Sequence, residues 1–253
     1  MSIARGENRY IVKFWRLATF DIDISDRLIR SMPGRRTPPE TVRHLLLDQV
    51  LPLVAASRNR VTLHASAVGT KRGAIAFLGA TGKGKSTIAA LFAKAGWPVI
   101  ADDCLLVERR RGQLVTLPNY PGLRLWPDAV NALFTRTTRS TTVAHYSRKR
   151  RVGGTALPFA RAPMPLACVY VLGGRVPGRR PGVVIERRGA TSGMLDLLRF
   201  VHCLDTADRE RISTAFDLLG AIAAATPIRT LTFRRTLSRL REVHDAVVAD
   251  LRE

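Results

Sequence analysis

The sequence predicts an α/β protein. Short β-branched, apolar runs crowd the middle of the chain, and helical periodicity fills its end. One apolar run, residues 74–78, feeds directly into a glycine-rich segment that opens an amphipathic helix. The 253 residues suit one large domain or two small ones. A composition of 46% hydrophobic and 24% charged residues excludes a disordered chain. No run approaches the ~18 uncharged apolar residues of a membrane helix. The longest candidate, residues 45–56, contains Asp48.

Taken in order, residues 10–20 (YIVKFWRLATF) have the β-branched and aromatic content of one or two strands. Met32-Pro33-Gly34 and Thr37-Pro38-Pro39 are turn signals. A helix starts at Pro39 with Thr37 as cap, an apolar stripe through Val42, Leu45, Leu46, Val50 and Leu53, and a kink or early stop at Pro52. Residues 61–68 and 74–78 are strands around a turn at Lys71-Arg72-Gly73. A helix over Lys85–Lys94 is stopped by Gly96 and followed by the apolar strand Val99–Ala101. Residues 105–108 and Gln113–Leu117 form a hairpin around Arg110-Arg111-Gly112. Residues 136–154 are polar, basic and aperiodic, which predicts a mobile surface loop. Residues 166–172 are a buried strand and 183–186 extend the sheet. Helices are expected over 194–201, 208–225 and 236–251, and there is no internal repeat. The resulting division is a strand-rich N-terminal extension, residues 1–40, packed on a catalytic domain, residues 41–253.

The net charge is +21, nearly all arginine, since lysine occurs only at positions 13, 71, 83, 85, 94 and 149. The arginines are spread along the chain and aromatics are 6%, too few for a base-stacking platform. Nucleic acid is therefore not the expected partner; an acidic or phosphorylated one is. Cys104, Cys168 and Cys203 lack metal-ligand spacing and are odd in number, and no basic region with an apolar core opens the chain. Together these predict a cytoplasmic protein with no membrane partner, and a homo-oligomer is compatible with them.

The chemistry is concentrated in residues 79–86. Gly79-Ala80-Thr81-Gly82-Lys83-Gly84-Lys85-Ser86 fits the pattern G-x-x-x-x-G-K-[ST], between a strand and a helix. Glycines let backbone N–H groups close on phosphate oxygens, and the helix N-terminus adds partial positive charge. Thr87 continues that first turn. Lys85 would reach the outer phosphates of ATP, and Ser86 would complete a Mg2+ shell. Asp102 and Asp103 end the next strand. Two carboxylates beside a phosphate loop are costly without a cation; one can hold magnesium and the other can take a proton from a hydroxyl. His64, just upstream of the loop's strand, completes the set.

Residues 63–108, from "LHASAV" through "GATGKGKSTIAALFAKAGWPVIADDCLLVE", resemble the HPr serine kinase/phosphorylase family and its PEP-carboxykinase-like P-loop relatives. The resemblance extends over about residues 40–200, with "PNYPGLRLWPD" at 118–128 and "PLACVYVL" at 165–172. Within that group the chain is most similar to the short stand-alone kinases of lasso-peptide and other ribosomal-peptide maturation. The resemblance implies a P-loop kinase core with a mixed sheet, flanking helices and a helical tail. It implies Asp102 as general base, His64 hydrogen-bonded to that aspartate, Asp103 and Ser86 at the magnesium, and Lys85 on the phosphates. The stretch before His64 is too short for the full HPr enzyme's N-terminal domain, and Glu186-Arg187-Arg188-Gly189 only shadows its second signature, so HPr is not the expected substrate. The implied activity is ATP- and magnesium-dependent transfer to a serine of a peptide or small protein, such as a lasso-type precursor. The alternatives are a small-molecule kinase and a non-catalytic nucleotide-binding regulator. Lys149, Arg150 and Arg151, in the run RKRR, are candidates to grip the substrate or to cover the nucleotide phosphates, and Arg124 and Trp126 are expected in a loop near the active face, Trp126 packing in the core rather than forming a binding stack.

Overall fold

A computed structural model describes residues 1–56, 60–135, 137–173, 182–202 and 209–252. Cys203 and the expected helix start at residue 208 lie outside them. The chain opens with four antiparallel strands, β1 (Ser2–Arg5), β2 (Arg9–Phe14), β3 (Ala18–Asp23) and β4 (Leu28–Pro33), in sequential order. Residues 10–20 thus span two strands. Met32 and Pro33 end β4 instead of turning, which an edge strand permits because its outer N–H groups have no ladder partner.

Helix α1 (Pro39–Leu45) passes into a π turn (Leu46–Val50) and then α2 (Leu51–Ala56). Pro52 has no N–H to give and its ring crowds the carbonyl four residues back, so the widened turn precedes it. Thr37 does not cap α1. Pro38 is the cap residue, and the Thr37 hydroxyl donates to the Leu17 carbonyl at 2.6 Å.

The main sheet is mixed and partly curled. Its members are β5 (Val61–Leu63), β6 (Ala65–Thr70), β7 (Gly73–Leu78), β8 (Val99–Ala101), β9 (Leu105–Arg110) and β10 (Gln113–Leu117), joined by three strands from later in the chain. Helix α3 (Lys85–Lys94) follows β7. Next come β11 (Leu123–Leu125), α4 (Pro127–Leu133), β12 (Ser140–Thr142) and β13 (Arg150–Val152), and β11, β13 and β12 make a separate small sheet. This corrects the expected mobile loop over 136–154. Two strands of three residues, polar on the outer side, leave no apolar periodicity to read.

β14 (Met164–Leu172) pairs in parallel with β7 on one edge, and β15 (Val183–Arg187) is followed by α5 (Ala190–Leu198) and α6 (Arg209–Ala225). The unforeseen β16 (Ile228–Phe233) runs parallel to β14, and a 3-10 turn (Leu237–Arg239) leads into α7 (Leu240–Asp250). The fold is α/β, with helices on both sheet faces and a helical C-terminal segment. Strand β7 explains why its sequence is apolar throughout. Ile75 and Phe77 join a core with Ile88 and Phe92 of α3 and Val243 and Val247 of α7. Ala74, Ala76 and Leu78 join another with Leu197 of α5 and Leu219 and Ile222 of α6.

The pairing also sets where a site can form. β6 is antiparallel to β7, with Ala65 opposite Leu78, and β8 is antiparallel to β6. The carboxyl ends of β7, β8 and β16 and the start of β6 therefore share one rim, where α/β sheets hold their ligands.

Candidate active site

That rim gathers His64, Ser66, residues 79–87, Asp102, Asp103 and Phe233–Thr236. Gly82 (φ 79°) and Gly84 (φ 98°) adopt left-handed conformations that L side chains resist, and they curl the segment back over the first turn of α3. Lys85 is the first residue of that helix and is buried. Its ammonium donates to the Gly79 carbonyl at 2.7 Å, lies 3.4 Å from that of Ala80, and meets His64 Nε2 at 2.9 Å. No carboxylate of the described residues lies within ion-pair distance of it. Burial lowers its pKa, opposed by Asp103 and Asp102.

His64 interrupts the expected strand over 61–68, separating β5 from β6. Its Nδ1 lies 3.2 Å from the carbonyl of Asp103. A carbonyl only accepts, so the proton belongs on Nδ1, and Nε2 is left to accept from Lys85. Burial, then Lys85, depresses the imidazole pKa, which keeps this neutral tautomer. The implied bond between His64 and the Asp102 carboxylate is not formed. His64 orients Lys85 instead.

Asp102 is only 2% exposed. Ser66 Oγ donates to its Oδ1 at 2.6 Å, the Arg124 backbone N–H donates to its Oδ2 at 2.8 Å, and the Ser86 hydroxyl is a further hydrogen-bonding neighbour. Burial and then Asp103 push its pKa up to about 7. Asp103 has a left-handed backbone (φ 61°), which an aspartate tolerates at modest cost, and lines the cavity. The two neighbouring acids are thereby separated, one beneath the loop and one facing the cavity.

Arg124 of β11 ties this arrangement together and was not singled out for that role from sequence. It is 2% exposed; its guanidinium donates to the Asp102 carbonyl at 2.9 Å, lies 3.7 Å from the Asp103 carboxylate, and pairs with Asp48 of the π turn. Asp48 in turn accepts from His44. Burial and Arg151 pull Arg124 down to about 9, still charged at neutral pH. His202 was missed too. Its backbone N–H bonds the Thr62 carbonyl, which brings its ring to 5.8 Å from that of His64. Neither residue has a local motif; each arrives through strand pairing distant in sequence.

No family model matches the chain, and no curated protein matches it. Among solved structures it is similar to the Hpr(Ser) kinase/phosphatase from Coxiella burnetii. The identity is 10% and the TM-score 0.38, over 76% of this chain and 97% of that one. The likeness is weak, and the chemistry is carried by this chain's own residues.

The basic run separates by placement. Lys149 lines the cavity and sits over the Trp126 ring, 5.9 Å from its centroid. Arg150 turns away, donating to the Ser140 carbonyl at 2.8 Å. Arg151 stacks on Tyr120 at 5.4 Å. Trp126, expected in the core, is 47% exposed at the cavity. It precedes Pro127 at the start of α4, where an extended backbone carries its ring outward. Among the described residues no helix is long and apolar enough to cross a membrane.

Proposed function

We propose that the chain is an ATP-dependent kinase that transfers the terminal phosphoryl group to a hydroxyl of a peptide or small protein. One observation carries this. Lys85, without a carboxylate partner among the described residues, the glycine loop at the start of α3, and the Asp103 carboxylate all line one cavity. A polyphosphate supplies the negative charge this arrangement lacks, and a carboxylate beside it is suited to accept a proton.

The oxygen donors near the loop are Ser86, Asp102 and Asp103. Among the described residues there is no group of three or more His, Cys, Asp or Glu able to hold a metal. Such a donor set suits Mg2+, which takes its remaining ligands from phosphates and water. Bound there, magnesium supplies charge neutralisation on the phosphoryl oxygens. Ser86, backed by Asp102, serves the metal side, Lys85 binds the outer phosphates and His64 fixes Lys85. Asp103 takes the acceptor proton. This exchanges the roles that the resemblance implies for the two aspartates, because the Asp102 oxygens are engaged and its carboxyl lies beneath the loop. A nucleotide-binding regulator would not need a carboxylate held in a left-handed backbone and turned to the cavity.

The test is to incubate the chain with ATP, magnesium and the precursor peptide encoded nearest its gene, the lasso-type acceptor that the resemblance implies, and to weigh the product. A gain of about 80 Da, one phosphoryl group, supports the reading. Failure to phosphorylate any peptide or free serine, with ATP still bound, would overturn it in favour of a regulator.

A further inference from the structure

At the other end of β7 and α3 from the phosphate loop lies a groove of about 520 Å³. Its floor is Trp97, Pro98, Val248 and Leu251, all half-buried. Gly96 (φ 92°) stops α3, and Trp97 just beyond it packs on Phe92, with ring centroids 4.8 Å apart. The Gly69 N–H donates to the Pro98 carbonyl at 2.7 Å, and the Arg72 guanidinium donates to the Leu251 carbonyl at 2.5 Å. The β6–β7 turn, the stop of α3 and the end of α7 are thus tied together around one apolar floor.

The rim of the groove carries Lys71, Arg72 and Arg252, all exposed. None of the three lies within ion-pair distance of a carboxylate of the described residues, and no acidic residue is among those lining the groove. Asp250, close by in sequence, is taken by Arg229 and Tyr170. An apolar floor ringed by three unpaired cations is complementary to a ligand that is both apolar and acidic.

We infer that this groove docks an acidic, extended peptide segment of a partner protein. A bulky apolar side chain of the segment sits on Trp97, Val248 and Leu251, and flanking carboxylates meet Lys71, Arg72 and Arg252. Cations spread over the β6–β7 turn and the end of α7 call for more than one carboxylate, which a run of acidic residues supplies. The floor is recessed below the charged rim, so a side chain projecting from a peptide reaches it and a flat layer of lipid headgroups does not. A second copy of this chain, itself carrying a net charge of +21, would be repelled. The six residues of β7, at about 3.3 Å each, keep the groove roughly 20 Å from the phosphate loop, so both can be filled at once. The inference goes beyond the kinase reading and needs no nucleotide.

The experiment is fluorescence anisotropy of the labelled hexapeptides EDLFED and EDSSED with the full chain, without nucleotide, in about 0.15 M salt to screen unspecific attraction. The peptides carry the same charge, and EDLFED is expected to bind at least about tenfold more tightly. Val248→Gln should remove that preference. Lys71→Glu and Arg252→Glu, at exposed positions, should each weaken EDLFED several-fold, whereas Arg109→Glu, at an exposed position of β9 outside the groove, should change it little. Saturating ATP should leave EDLFED bound. Equal affinity for the two peptides, equal losses from Arg109→Glu and Arg252→Glu, or displacement by ATP would overturn the groove as a docking site. So would phosphatidylserine vesicles that bind through Lys71 and Arg252 while EDLFED does not, which would give the groove to a membrane. If Val248→Gln fails to fold, the peptide pair and the rim variants decide. No outcome of this assay bears on the kinase reading except displacement by ATP, which would support nucleotide binding while overturning the groove.

Discussion

Asp102 and Asp103 share a strand end, but burial and backbone conformation give them opposite environments. Asp102 is enclosed and hydrogen-bonded by Ser66 and Arg124, while Asp103 pays for a left-handed backbone and gains access to the cavity. Asp103→Asn keeps a residue that tolerates that backbone and removes the proposed proton acceptor. Turnover should fall by about 10²–10⁴-fold, the usual worth of a general base, with ATP affinity nearly kept and the melting temperature not lowered. Kinetics, titration and a thermal melt on one preparation check all three. A turnover loss confined to Asp102→Asn would restore the exchanged roles. The raised Asp102 pKa has its own sign. The folded chain keeps this carboxyl protonated where the unfolded chain has ionised it, so its contribution to stability is complete below the ordinary carboxylate range. That contribution is lost as pH rises through about 7. Urea midpoints at about pH 5 and about pH 8 should therefore fall more in the unaltered chain than in Asp102→Asn.

The small sheet of β11, β13 and β12 and the π turn show which elements sequence could and could not reveal. The loop, α3 and the two aspartates were legible because strand, glycines, lysine and acids lie within a short stretch whose local chemistry is sufficient. β12 and β13 were not, being short and polar, and neither was Arg124, whose importance depends on Asp48 arriving from the π turn. The partition of the basic run follows from strand geometry, which turns Arg150 to β12 and leaves Lys149 at the cavity. Lys149→Ala should raise the KM for ATP about tenfold, as for a lost charge-assisted contact, whereas Arg150→Ala should cost about 1 kcal/mol of stability and leave the kinetics alone. Steady-state kinetics beside denaturant titrations separate the two. At the π turn, Asp48→Ala takes from the buried Arg124 guanidinium one of its three carboxylate neighbours and leaves Asp102 and Asp103. It should cost up to about 3 kcal/mol, visible in urea unfolding, and Arg124 would lose the partner that fixes it against Asp102 and Asp103.

At the scale of the whole molecule, the segment α1–π–α2 has two duties. Leu45 and Val50 pack against Tyr10, Val12, Phe20 and Ile22 of the N-terminal sheet. Asp48, from the same few residues, reaches Arg124 and through it the aspartate pair. Thr41 adds a second tie, its hydroxyl 2.9 Å from His145 Nδ1 in the connection between β12 and β13. The N-terminal sheet is thus the apolar backing of the segment that carries Asp48 to Arg124, and the proposed extension and proposed catalytic domain should unfold together. Deleting residues 1–36 uncovers Leu45 and Val50, and burying a side chain of that size is worth about 1.5–3 kcal/mol. The shortened chain should melt well below the full one in a single transition. It should also lose turnover before it loses ATP affinity, because Lys85, Ser86 and the loop are held by β7 and α3, whereas the aspartate pair is braced from the N-terminal side through Asp48 and Arg124. Calorimetric melting with ATP titration checks the order of loss. Retention of the full melting temperature and turnover would mean that Asp48 holds Arg124 without the sheet behind it, and that the two units are energetically separate.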